Sequence, residues 1–234
     1  MTDYAGLFAD RYSTALVADA AYRAGIDPGL PAPGLRPLDR RTTLAGPAIT
    51  VEANNDLVSI LDAVHRAQAG DAVVISNQAP DVGLIGDLIG TEAARKGIAG
   101  FVIDGLVRDS NELIDLGLPV LCLGSYPVGP LKLAPDAKGI GTVDQLVAIG
   151  GATVAPGAWV FGDADGVIVV RPEDLEAVFE RAAVAWEREE ALADEIASGT
   201  PLGDAFELES FLSERERDPA ADFGAHLAAL DRAI

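Results

Sequence analysis

Three uninterrupted apolar runs constrain this chain more than any other feature: Ala72-Val73-Val74-Ile75, Gly100-Phe101-Val102-Ile103 and Val120-Leu121-Cys122-Leu123. A strand with one wet face alternates polar and apolar residues. A strand that is apolar throughout must be covered on both faces, the habit of parallel sheets joined by helical crossovers. The segments between the runs read accordingly as helices. Residues 57–68 follow Asn54-Asn55-Asp56, residues 85–96 stop at Gly97, and residues 110–116 form a short helix. Residues 48–53 add another strand, residues 7–25 read as one helix, and the Pro/Gly-rich stretch 27–37 is a connector. This alternation predicts an α/β fold.

The second half has a different rhythm. Residues 145–154 and 158–170 are short β-rich runs punctuated by Gly150-Gly151, Pro156-Gly157 and Asp165-Gly166, which predicts hairpins. No long polar linker separates them from the first half, so both halves share a sheet core. From Pro172 a long helix follows, with Leu175, Phe179, Ala182, Trp186, Ala193 and Ala197 on one face. Glu190 interrupts that stripe, and Gly199-Thr200-Pro201 ends the helix. A possible amphipathic segment, 205–216, and a marginal terminal helix complete the chain. The division predicted is a catalytic α/β domain, 1–171, and a C-terminal helical extension, 172–234, packed on it or on a neighbouring subunit.

Charge and rare residues narrow the chemistry. Acids number 37 against 17 bases, for a net charge of −20, and no basic run is present. Such a chain repels phosphate, which argues against nucleic-acid binding. Half of the net charge falls within residues 171–218. The single cysteine, Cys122, rules out an internal disulfide framework. The opening Met1-Thr2-Asp3-Tyr4 lacks signal-peptide character, and no apolar run nears the roughly 18 residues of a membrane span. These features predict a soluble, cytoplasmic protein without a membrane partner. Two histidines, His65 and His226, make a multi-histidine zinc site improbable. Lysine occurs only at Lys96, beside a helix stop where lysine is normally solvated, and at Lys132 and Lys138 in a Pro/Gly-rich connection. A buried Schiff-base lysine therefore has few candidates, and none sits in an obviously apolar strand.

The stretch 83–109 carries the chemistry. Gly83 and Gly86 precede a helix start, where glycine permits close approach and free amides favour an anion. Glycines at such a place also serve as turn and packing devices. Asp104, Arg108 and Asp109 come directly after a buried strand, where α/β sheets gather ligands. By pattern alone, an active site and a surface ion pair fit them equally.

Asp87 and Arg108-Asp109 are separated by twenty residues. This spacing resembles the Asp-x20-Arg-Asp motif of the metal-dependent pyruvate aldolases that include 4-hydroxy-4-methyl-2-oxoglutarate aldolases and the regulator of ribonuclease activity A. Ala18-Asp19-Ala20, Gly34-Leu35-Arg36-Pro37-Leu38, Ala45-Gly46-Pro47-Ala48, Gly70-Asp71 and 165–170 extend the resemblance over most of residues 13–200. It implies a swivelling β/β/α-type domain assembled as a homotrimer or hexamer. It also implies Mg²⁺ or Mn²⁺ held by Asp109, a keto-acid contacted by Arg108, and a substrate carboxylate held by backbone groups of Gly86, Asp87, Leu88 and Ile89. Asp87 would in addition organise water around the metal. The resembling enzymes cleave 4-hydroxy-2-oxo acids to pyruvate and decarboxylate oxaloacetate, both through a pyruvate enolate.

With no Schiff-base lysine in view, a metal acting as Lewis acid is the natural electron sink, and oxygen ligands suit a hard cation. An acid from an adjacent subunit aids proton transfer in the resembling enzymes. Glu187 and Glu190 are candidates, though both also read as solvated residues of an acidic helix; Glu52 and Asp56 have no decisive spacing. The loop 76–82 lacks the glycine-rich stretch of many relatives, which bears on the aldol substrate. The alternatives are a non-catalytic protein that binds a ribonuclease and a related lyase with a different substrate.

Overall fold

The computed structural model describes residues 2–77, 81–132 and 139–230. Its elements in chain order are α1 (Tyr4–Arg11), α2 (Thr14–Arg23), β1 (Arg36–Pro37), β2 (Leu44–Glu52), α3 (Leu57–Arg66), β3 (Ala72–Ser76) and α4 (Asp87–Lys96). Then come β4 (Gly100–Val107), α5 (Ser110–Asp115), β5 (Val120–Ser125), β6 (Thr142–Val143), β7 (Val147–Ile149), β8 (Ala152–Val154), β9 (Trp159–Gly162) and β10 (Val167–Val170). Helices α6 (Leu175–Ala197), α7 (Leu202–Ala205), α8 (Leu208–Arg217) and α9 (Phe223–Ala229) close the chain.

The main sheet runs β1-β5-β4-β3-β2-β9-β10, with β6 also on β2. Strands β2 to β5 are parallel, and all five residues of β3 are buried, as an apolar strand covered on both faces requires. Strand β2 bridges the two halves. Its first part, from Leu44 to Pro47, pairs with β9, and its second part pairs with β3. This shared strand curls the sheet around an interior of Leu44, Ala48, Val74, Val102, Val160 and Val169, onto which the β7–β8 hairpin also packs. Alternation in β9 and β10 turns Phe161, Ile168 and Val170 the other way, against α1, α2 and α6. Helices α3, α4 and α5 cover the outer face of the parallel strands. The fold is thus the mixed α/β domain with C-terminal helices that the strand pattern predicts.

Several local expectations are corrected. The helix expected over 7–25 is two helices: Tyr12 and Ser13 are extended, and the Ser13 hydroxyl accepts from the Leu16 amide at 3.1 Å. A distant partner holds the break, because the Asp163 carboxylate accepts from both the amide and the hydroxyl of Thr14. Strand β4 runs on to Val107, so Asp104 lies within it and binds the Gly150 amide at 2.7 Å, anchoring the β7–β8 turn. The buried face of α6 is Leu175, Val178, Phe179, Ala182 and Ala185. Ala193 and Ala197 are exposed, and Glu190 lies outside the buried stripe. The segment 205–216 is divided between α7 and α8 by Glu207 in the left-handed region. Lys96 is not a solvated lysine: its ammonium donates to the Val64 and His65 carbonyls and so caps the C-terminal end of α3. Lys138 and, within loop 76–82, Gln78 to Pro80 lie outside the described residues. Among the described residues no helix is long and apolar enough to cross a membrane.

Candidate active site

The site forms where β4 ends and α4 begins. The Leu84 amide donates to the Leu106 carbonyl at 2.8 Å, and the Arg108 amide donates to the Ile85 carbonyl at 2.9 Å. These bonds lay residues 83–85 alongside the end of β4. Gly86 then extends the backbone and caps α4 without a side chain, so the helix starts at Asp87 rather than at Ile85. Beyond Arg108, Asp109 adopts a left-handed conformation with φ 53° and ψ 45°, uncommon for a residue with a side chain. The turn brings its carboxylate back beneath the start of α4.

Glycine is required at Gly86 for space and not for its backbone angle, since φ is −147°. A Cβ there would collide with Asp109 Oδ2 and lie 3.2 Å from both Cγ and Nε of Arg108. Gly83 and Gly129 perform the same service. A Cβ at Gly83 would sit 2.9 Å from Arg108 Cβ, and one at Gly129 would sit 2.8 Å from Arg108 Nη1. Arg108 therefore lies in a slot cut by three glycines. Gly129 has no sequence signal linking it to the site, because only the folded chain sets it beside Arg108.

Within the slot, Arg108 Nε donates to Asp109 Oδ2 at 3.1 Å, and the Asp87 amide approaches the same oxygen at 3.4 Å. Partial desolvation pushes the Asp109 carboxyl upward. The bonds from the Arg108 guanidinium and the Asp87 amide, with the arginine charge, outweigh it and hold the carboxyl below the ordinary range. Asp109 is thus ionised at neutral pH. The Asp87 carboxyl also interacts with Asp109 and accepts from the Leu88 amide at 2.8 Å. Among the described residues no acceptor takes the Ile89 amide. The first turn of α4 thus retains donor capacity and the positive end of the helix dipole for an anion.

These groups border a cavity of about 370 Å³. Gly86, Asp87, Leu88, Ile89 and Arg108 all line it, while Asp109 sits behind Gly86. The structure thus brings together every residue singled out for substrate binding. It does not bring Glu187 or Glu190 to the cavity of the same chain: Glu187 lies near enough to Tyr12 to disfavour its ionisation, and Glu190 is exposed. Nor do Glu52 and Asp56 line it; Asp56 caps α3 at the Val58 amide. A larger cleft of about 480 Å³ beside α2 contains Arg36, but that guanidinium donates to its own Leu35 carbonyl. Size alone does not choose the site.

The donor set can be tested against a cation. Among the described residues no group of three or more His, Cys, Asp or Glu side chains could hold a metal. Those residues therefore form no cage built wholly of protein ligands. Two interacting carboxylates, Asp87 and Asp109, do fit a hard divalent ion that keeps most of its water.

Fold and site together describe an α/β protein with a cavity equipped for a small anionic molecule. Comparison with known proteins gives the class a name: the chain belongs to the RraA-like (aldolase/RraA) family, which it matches over residues 14–169. A Halalkalibacterium halodurans protein named "Putative 4-hydroxy-4-methyl-2-oxoglutarate aldolase" is 34% identical over 168 residues, 69% of this chain and 78% of that protein. A Burkholderia mallei protein of the same name is 34% identical over 138 residues, 58% of this chain and 81% of its own length. Among solved structures, an uncharacterized Pseudomonas syringae protein superposes with a TM-score of 0.73 at 28% identity, covering 86% of this chain and 94% of the other. Streptomyces coelicolor RraAS2, described as an unusual member of the RNase ES inhibitor RraA family, gives 0.67 at 25% identity, covering 85% and 98%.

Proposed function

We propose that the protein is a divalent-metal-dependent lyase cleaving a 4-hydroxy-2-oxo acid, of the 4-hydroxy-4-methyl-2-oxoglutarate type, to pyruvate, with oxaloacetate decarboxylase activity at the same site. One observation carries the reading: Gly86, whose backbone angles do not demand glycine, leaves the space in which Arg108 and Asp109 pack against the start of α4. The aldolase names of relatives at 34% identity agree with it.

Each residue then has a chemical task. The first-turn amides of α4 hold the substrate 1-carboxylate. The Arg108 guanidinium faces the 2-oxo group and offsets the charge it gains when the bond beside it breaks. Asp87, the one acid among the described residues lining the cavity, orders water there. Asp109, kept ionised by its neighbours, is the protein ligand for Mg²⁺ or Mn²⁺. The bound cation supplies Lewis acidity beside the oxo group. Aldol cleavage breaks the C3–C4 bond: its electron pair shifts toward the oxo group, the 4-hydroxyl proton passes to water in the cavity, C4 leaves as the carbonyl of the second product, and protonation at C3 completes pyruvate. Decarboxylation releases CO₂ and ends on the same protonation. The proposal includes a homotrimer or hexamer in the cytoplasm, in which exposed Glu187 or Glu190 of α6 is available to a neighbour's site.

The test is pyruvate release from oxaloacetate and from branched 4-hydroxy-2-oxo acids, with and without EDTA. Asp109→Ala abolishes metal-dependent release, and Arg108→Ala lowers turnover by at least about a hundredfold with metal present. Wild-type turnover in Asp109→Ala overturns the reading. Tight capture of a ribonuclease, with no turnover at saturating Mg²⁺, supports instead the regulator reading suggested by the description of the Streptomyces protein.

A further inference from the structure

The half of the cavity away from Arg108 has a chemistry of its own. Leu57 and Leu61, one turn apart on α3, form an apolar wall with Leu131 of the 3₁₀ turn Pro130–Lys132. Leu61 is 49% exposed and Leu131 74% exposed, so the wall faces the opening and not the core. Lys132 lines the same cavity beside them. Its turn is held by two backbone bonds: the Lys132 amide donates to the Gly129 carbonyl at 3.1 Å, and the Gly83 amide donates to the Val128 carbonyl at 2.7 Å. A Cβ on Gly129 would lie 2.8 Å from Arg108 Nη1, so the backbone of this turn passes close to the guanidinium. The position of Lys132 is therefore tied to that of Arg108.

Several other cations of the chain are engaged within it. Arg41, Arg66, Arg95 and Arg171 are paired with carboxylates, and Lys96 caps α3. The Lys132 ammonium has no hydrogen-bond or ion-pair partner among the described residues. In a chain of net charge −20, a cation in a cavity lined by one acid among the described residues, Asp87, is matched to an anion from outside.

We propose that Lys132 is a specificity-determining residue. It binds the second carboxylate of a 2-oxo dicarboxylate, while Leu57, Leu61 and Leu131 receive an apolar branch at C4 in preference to a charged one. This inference rests on the aldolase reading of the site.

Its test separates the two. Equilibrium binding of pyruvate and of 2-oxoglutarate, neither of which undergoes aldol cleavage, is measured with Mg²⁺ for wild type, Lys132→Met and Lys132→Arg. The wild type binds 2-oxoglutarate about tenfold more tightly than pyruvate, Lys132→Met erases the difference, and Lys132→Arg keeps most of it. In turnover, the 4-methyl substrate exceeds its 4-carboxymethyl analogue by about tenfold in kcat/KM, and Lys132→Met raises KM for both in preference to lowering kcat. A binding ratio unmoved by Lys132→Met overturns the inference while leaving the aldolase reading intact. Equal use of the 4-methyl and 4-carboxymethyl substrates overturns the apolar-branch assignment. Failure of the wild type to cleave any hydroxy-oxo acid overturns the aldolase reading, and the binding ratio still decides the role of Lys132.

Discussion

Replacing Gly86 with alanine isolates the contribution of site geometry. The backbone at Gly86, φ −147° and ψ −162°, is extended and open to any residue, so the substitution creates no torsional strain there. Its whole effect comes from one methyl group. That methyl would overlap Asp109 Oδ2 and crowd Cγ and Nε of Arg108 at 3.2 Å. To regain van der Waals distance the carboxylate must retreat by about 1 Å, a misplacement that can cost on the order of a hundredfold in rate. A hundredfold corresponds to about 2.7 kcal/mol of transition-state stabilisation. The folding cost is far smaller. The Asp109 side chain is 31% exposed and that of Arg108 44%, so both can turn toward water and forfeit only a partly solvated pair, about 1 kcal/mol or less. Gly86→Ala therefore retains a cooperative thermal transition near that of wild type while losing about two orders of magnitude in kcat/KM for pyruvate release. A coupled pyruvate assay beside calorimetry reads both quantities. Full activity in a folded Gly86→Ala protein would falsify the claim that this packing sets the reactive geometry.

Two further outcomes test the scaffold. A Cβ on Gly46 of β2 would collide with the Gly70 carbonyl and meet the Ala72 amide and Ala99 Cβ at 3.3 Å, so Gly46→Ala lowers stability by about 1–3 kcal/mol in denaturant unfolding through overpacking. Glu189 of α6 is partly desolvated and repelled by Asp19, with Arg23 opposing, and its pKa is raised. The folded state thus disfavours its charge; this destabilisation is absent below the ordinary carboxylate range and grows as pH rises through the folded value. Glu189→Gln accordingly raises Tm at about pH 7.5 and brings little gain at about pH 4; an equal gain at both pH values refutes the assignment.

Period and punctuation determined much of this protein before any contact was known. The apolar runs of β3, β4 and β5 announced parallel strands because burial on both faces is a property of each strand alone. Gly97 stopped α4 in the left-handed region, and Asp165-Gly166 turned β9 into β10, because these are local backbone preferences. Asp87 and Arg108-Asp109 entered through a family resemblance and not through any local backbone preference. What lay beyond reach was set by partners distant in sequence. Asp163 decides that α1 and α2 separate at Ser13, and Asp104 accepts from the amide of Gly150, 46 residues away. The docking of α6 on α2 decides that Glu189, and not Glu190, faces Asp19. At 3.6 residues per turn adjacent helix positions point about 100° apart, and the docked neighbour decides which of them meets a partner. Gly129 and Lys132 join the site for the same reason: the chain returns past Arg108 after β5, and only tertiary packing sets that return.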